Sequence, residues 1–137
     1  MYYVAGFFDN KYSKQYIIRE VNNLIHYMNL HPEPFYKIKY KQKDIELRLL
    51  DEKRQMIQVG DFIKFTNTEN SECKLSAVVV ALHKFPSFDK LYESLSLLRC
   101  GYTIDNINQA SSADMDVYYP KEKQQEYGVV GIEIRIL

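Results

Sequence analysis

The chain has no tryptophan, only two cysteines and three histidines, and no net charge. Each scarcity narrows what the protein can be. Eighteen Lys and Arg balance eighteen Asp and Glu, so no global field draws the protein to nucleic acid. Any site for a polyanion has to be a local patch. Cys73 and Cys100 lie far apart, form no metal-spaced pair and are expected to stay reduced. His26, His31 and His83 lack the spacing of a metal site, and no cluster of acids or cysteines completes one. No cofactor is expected. No apolar run approaches the roughly 18–20 residues that span a bilayer. The start, "MYYVAGFFDNKYSK", lacks the basic opening and long apolar core of a signal peptide. A cytoplasmic protein is the expectation. There are no repeats, linkers or low-complexity segments, and no Ser/His/Asp or Cys/His arrangement emerges from the spacing.

What is present points to one folded domain. The 137 residues suffice for a real core, and a hydrophobic share of 46% speaks against general disorder. Most of the twelve tyrosines are read as amphipathic packing residues.

Periodicity orders the chain. "YVAGFF" near the start reads as a short strand, and "YSKQYIIREVNNL" as a short helix or part of an external extension. "LIHYMNL" (24–30) reads as a strand, broken at His31-Pro32. "PEPFYKIKY" follows as a short helix with Pro34 in its first turn. After a strand at 44–50 come the polar turn "DEKRQ", the turn "VGD" and the strand "FIKFTN". Residues 73–85, "CKLSAVVVALHKF", are nearly continuously apolar and predict a strand buried on both sides. Ser87 is a good helix N-cap, and Phe88, Leu91, Tyr92 and Leu95 share one helical face. Gly101 can stop that helix. Residues 105–118 read as a weaker helix or loop, and "PKEKQQEYG" as a short helix. "VVGIEIRIL" ends the chain as a strand. Strands with helices gathered before the last one argue for an α+β fold.

The stretch "KQKDIELRLLDEKRQMIQVGD" (41–61) is the most informative. Asp44, Glu46 and Arg48 alternate with Ile45, Leu47 and Leu49. In a strand the aliphatic trio faces a core and the charged trio faces away from it. Those charges are either a solvated outer face or the lining of a site. Lys37, Lys39, Lys41 and Lys43 form a basic run beside Tyr36 and Tyr40. It is either a solvated face or a contact for a phosphate backbone with an aromatic stacking platform.

From residue 24 onward the chain resembles the ASCH (activating signal cointegrator homology) family of the PUA-like superfamily. The hallmark of that family is Gly-x-Lys-x-x-Glu-x-Arg at a loop-to-strand junction. "KQKDIELR" supplies Lys43, Glu46 and Arg48, with Lys41 standing where the glycine would be. "HPEPFYKIK", "IQVGDFIKF", "SFDKL" and "YYPKEKQQEYGVVGIEI" match the family's further signatures. The resemblance implies a partly closed mixed β-barrel over 24–137, with helices inserted before the last strand and 1–23 as an N-terminal extension. It implies a charged cleft beside the barrel that binds RNA or a nucleotide-like small molecule. The candidate ligand-binding residues are Lys43, Glu46, Arg48, Lys41 and Tyr119. One family branch is an acetylcytidine amidohydrolase with a threonine at the position of Glu46 and a later glutamate. Here that glutamate falls near Leu98 or Arg99, with Glu93 the nearest candidate, so this activity does not carry over. The alternative is a small hydrolase acting on a modified nucleoside or RNA, with Lys43 and Glu46 as its acid-base pair.

Overall fold

The structure, a computed structural model, describes residues 23–137 together with the backbone of two earlier strands, β1 (Tyr2–Asp9) and β2 (Lys14–Val21). β1 and β2 pair antiparallel as a sheet of their own. The helix expected over "YSKQYIIREVNNL" is therefore corrected: its central residues form β2, because cross-strand pairing with β1 decides between two periods that the sequence satisfies about equally.

The remaining strands are β3 (Ile25–Leu30), β4 (Ile45–Leu49), β5 (Phe62–Asn67), β6 (Asn70–Phe85) and β7 (Val129–Ile136). They form one mixed sheet in the order β3-β5-β6-β7-β4, in which only β3 and β5 run parallel. The fold is α+β, a partly closed barrel whose edge strands are β3 and β4. The curl comes from β6. Its first half pairs with β5 and its second half with β7, and the register slips between Val79 and Ala81. Such a bulge sharpens twist and bends the strand. It also inverts the alternation, which explains the unbroken apolar run. The expected burial of 73–85 on both sides is not met: Ala77 and Val79 are buried, but Val80, at the slip, is 37% exposed.

The helices are α1 (Pro32–Lys39), α2 (Glu52–Gln55), α3 (Phe88–Ser94) and α4 (Lys121–Tyr127). α2 replaces the expected polar turn; Asp51 caps it by accepting from the Arg54 amide. Ser87 caps α3 in the same way through the Lys90 amide. α3 ends at Ser94, ahead of Gly101, and residues 95–120 run irregularly with two short 3-10 turns.

Two cores result. The barrel core gathers Met28, Leu30, Phe35, Ile38, Ile63, Phe65, Val79, Val130 and Ile132. A second core lies under α3 and joins Ile45, Leu47 and Leu49 to Phe88, Leu91, Cys100 and Val129. Full burial of each large aliphatic side chain contributes roughly 1.5–3 kcal/mol. Gly131 keeps α3 close: a Cβ there would stand 2.8 Å from Leu95 Cδ1 and 3.1 Å from Ile45 Cγ2.

The predicted alternation of β4 holds: Ile45, Leu47 and Leu49 face a core, and Glu46 and Arg48 lie on the other face. The aliphatic trio faces the smaller core under α3. Glu46 pairs in register with Ile132, and Arg48 with Val130. Cross-strand partners share a face, so these charges lie on the barrel side, at its open edge. Glu46 is only 4% exposed. Of the two alternatives left open by the sequence, a solvated face and the lining of a site, Glu46 takes the second.

Candidate functional site

The open edge of the barrel is a cleft of about 630 Å³. One wall is Lys43, Glu46, Leu47 and Arg48 from the motif strand and its approach; α1 adds Glu33, Pro34 and Lys37. The segment between α3 and α4 supplies the other wall, including Cys100, Gly101, Tyr102, Asp114, Met115 and Tyr119. The volume falls in the range of roughly 300–1,000 Å³ that holds small ligands.

Lys43, Glu46 and Arg48 form one buried network. Glu46 Oε1 lies 2.7 Å from Lys43 Nζ, and Oε2 accepts from Arg48 Nε at 2.8 Å. Burial pushes the Glu46 carboxyl toward its neutral form. The Lys43 and Arg48 charges outweigh that and hold its pKa below the ordinary range. Burial likewise opposes the Arg48 charge, but Glu46 beside it raises the guanidinium pKa overall. Arg48 Nη2 also donates to the main-chain carbonyl of Asn29 at 2.9 Å.

Across the cleft, Tyr102 donates to Asp114 Oδ2 at 2.6 Å, and the hydroxyls of Tyr92 and Tyr102 lie 2.7 Å apart. Tyr102's proton goes to the carboxylate, so Tyr92 is the donor between them. The Ser111 amide also donates to Asp114 Oδ2, and Oδ1 has no hydrogen-bond partner among the described residues. Tyr119 stacks on Phe88 with ring centroids 6.0 Å apart, and burial raises its phenol pKa. Gly101 has φ +115°, and a Cβ there would meet Lys43 Cδ at 3.3 Å. The backbone thus lies against the lysine stem where a side chain would crowd it. Lys37 Nζ donates to the Gly101 carbonyl at 2.8 Å.

The ASCH domain family model matches residues 28–137. The chain belongs to the ASCH domain family. The crystal structure of hypothetical protein PH0355 is similar at 29% identity over 83% of this chain and all of that one, with a TM-score of 0.69. The solution structure of protein PF0455 from Pyrococcus furiosus is 33% identical over 83% of this chain and 98% of that one, with a TM-score of 0.64. A mutant of the ASCH protein from Zymomonas mobilis shares the fold at 14% identity, covering 82% of this chain and 68% of that one (TM-score 0.57). No curated protein matches the chain significantly.

The structure thus gathers four of the five candidates around this ASCH cleft: Lys43, Glu46, Arg48 and Tyr119. Lys41 is not among its lining residues. It sits just past α1 with φ +63°, its amide donating to the Ile38 carbonyl. That left-handed conformation is why glycine suits the family position. Glu93 is exposed and pairs with Lys90 at 3.5 Å, outside the cleft lining. Sequence reasoning missed Tyr102 and Asp114, read Tyr92 only as part of a helical packing face, and read Gly101 only as a helix stop. The run of Tyr102, Asp114 and Tyr118 in an aperiodic stretch was the one available signal. No group of three metal-ligating side chains occurs among the described residues. No helix among them is long and apolar enough to cross a membrane.

Proposed function

We propose that this ASCH domain binds one nucleotide unit in the cleft, free or presented at an unpaired position of RNA. The observation that carries the reading is the arrangement of polar groups without a hydrogen-bond partner among the described residues, around a nucleoside-sized space. Arg48 Nη1 and the remaining Lys43 protons are donors on one wall, while Asp114 Oδ1 is an acceptor on the other. A heterocycle carries carbonyl acceptors and N–H donors on one edge and a π-face for tyrosine, which suits such a site. Lys43 and Arg48 would meet base or phosphate oxygens, Glu46 would hold both cations in place, and Tyr119 would border the base. The binding unit in this reading is 24–137, with 1–23 an extension. A cytoplasmic setting, where Cys73 and Cys100 stay reduced, fits it.

Glu46 has a depressed pKa and two counter-ions, so it is a weak base near neutral pH. Nothing at the site therefore favours the hydrolase alternative over binding. The test is calorimetric titration of nucleosides, nucleoside monophosphates and short single-stranded RNA into the parent protein and Lys43→Met. Methionine keeps the stem beside Gly101 and removes the ammonium. An affinity loss of tenfold or so is expected, matching about 1.4 kcal/mol. Unchanged affinity for every ligand the parent binds overturns the reading. Turnover of a modified nucleoside, lost in Glu46→Gln with affinity retained, moves the assignment to a hydrolase.

A further inference from the structure

The outward side of α1 carries a feature that the cleft does not use. Tyr36 and Tyr40, one turn apart, stack with centroids 6.2 Å apart and planes at 17°. Both are exposed, Tyr40 at 65%. Lys39 Nζ lies 5.8 Å from the centroid of each ring. Lys41 follows, exposed and at positive φ. Lys37 pairs with Glu33 and Lys43 is buried against Glu46, which leaves Lys39 and Lys41 as the exposed cations beside the two rings. In a protein of zero net charge this is a local basic patch.

Aromatic rings interleaved with cations are how single strands are held: each base offers a π-face, and each phosphate takes a cation. The same helix reaches the cleft through Glu33, Pro34 and Lys37. Cleft and patch are therefore two sides of one short element.

We propose that Tyr36, Lys39, Tyr40 and Lys41 form a stacking platform for single-stranded RNA, continuing the strand whose one nucleotide occupies the cleft. The inference rests on the cleft reading and deepens it: the partner is the polymer, not a free nucleotide. A base stacks at Tyr40, and Lys39 and Lys41 neutralise flanking phosphates.

The experiment measures anisotropy of a labelled single-stranded RNA hexamer and calorimetry of a nucleoside monophosphate, with the full chain. Tyr40→Ala weakens the hexamer by about tenfold, within the range of one base stack, and leaves the mononucleotide unchanged. Tyr40→Phe, which keeps the ring, restores hexamer affinity. Lys39→Ala flattens the salt dependence of hexamer binding by about 0.7 in log-log slope. A hexamer bound equally by Tyr40→Ala and the parent overturns the platform. If Lys43→Met alone weakens the hexamer, the cleft stands and the platform fails. If Tyr40→Ala alone weakens it, the platform stands and the cleft reading fails. A parent protein that binds no hexamer overturns the platform, whatever the mononucleotide does.

Discussion

Arg48 Nη2, on edge strand β4, donates at 2.9 Å to the carbonyl of Asn29 on the opposite edge strand, β3. Lys53 Nζ reaches the Tyr27 carbonyl of β3 in the same way at 3.0 Å. Side chains thus bridge the opening that no strand pairing closes. The arginine of the family motif both borders the cleft and ties the barrel's two ends.

Arg48→Ala should therefore destabilise the domain as well as alter binding. It removes charge-assisted hydrogen bonds to Glu46 and Asn29 and leaves Glu46 with Lys43 alone. A cost of about 2–3 kcal/mol is expected. The exposed Lys53, truncated to alanine, should cost under about 1 kcal/mol. Urea unfolding monitored by circular dichroism checks both. Equal small losses would mean that the barrel opening needs no arginine.

Glu46 makes stability depend on acid. Its folded pKa lies below the ordinary value of 4.5, so the unfolded chain takes up the proton first as pH falls. The stability it contributes is complete above that ordinary value and is lost as pH drops toward the lower folded pKa. Glu46→Gln should remove this part of the acid dependence and cost roughly 3 kcal/mol at neutral pH, because two buried cations lose their counter-ion. Unfolding midpoints of both proteins across pH 3–7, roughly the carboxylate titration window, provide the check.

Lys41→Gly should stabilise. A non-glycine residue at φ +63° carries a strain of roughly 1 kcal/mol that glycine lacks. Glycine's greater freedom in the unfolded chain offsets part of this. A net gain of about 0.5 kcal/mol in urea unfolding is expected; a loss would show that the lysine side chain supplies more than the turn costs.

How much of this was legible in the sequence differs by element. β5 alternates cleanly, β7 does so from Ile132 onward, and α3 has its cap and its i, i+3, i+4 face, so local pattern sufficed there. The alternation in 44–50 was equally clear, yet which of two cores each side met depends on the register with β7. Read alone, Glu46 and Arg48 pass for a solvated face. Residues 95–119 have no period at all. Tyr102 and Asp114 reach the site through tertiary placement, so Tyr119 was the one ligand-binding candidate named in that segment.

Gly101→Ala joins fold and site. Positive φ disfavours alanine, and its Cβ would press on Lys43 Cδ. A destabilisation of about 1–3 kcal/mol is expected, together with weaker ligand binding as Lys43 shifts from Glu46. Calorimetry on the folded variant reads the second effect; binding equal to the parent would remove Gly101 from the account.

If the cleft between the motif strand and the 95–119 segment takes the ligand, binding must register there. Amide chemical shifts of the labelled full chain, followed while a nucleoside monophosphate or single-stranded RNA is titrated in, test it directly. The largest shifts are expected at Glu46, Leu47, Gly101, Tyr102, Met115 and Tyr119, which line the cleft, with little change on the far strands of the sheet. Saturable shifts centred elsewhere, with these amides unmoved, would contradict it.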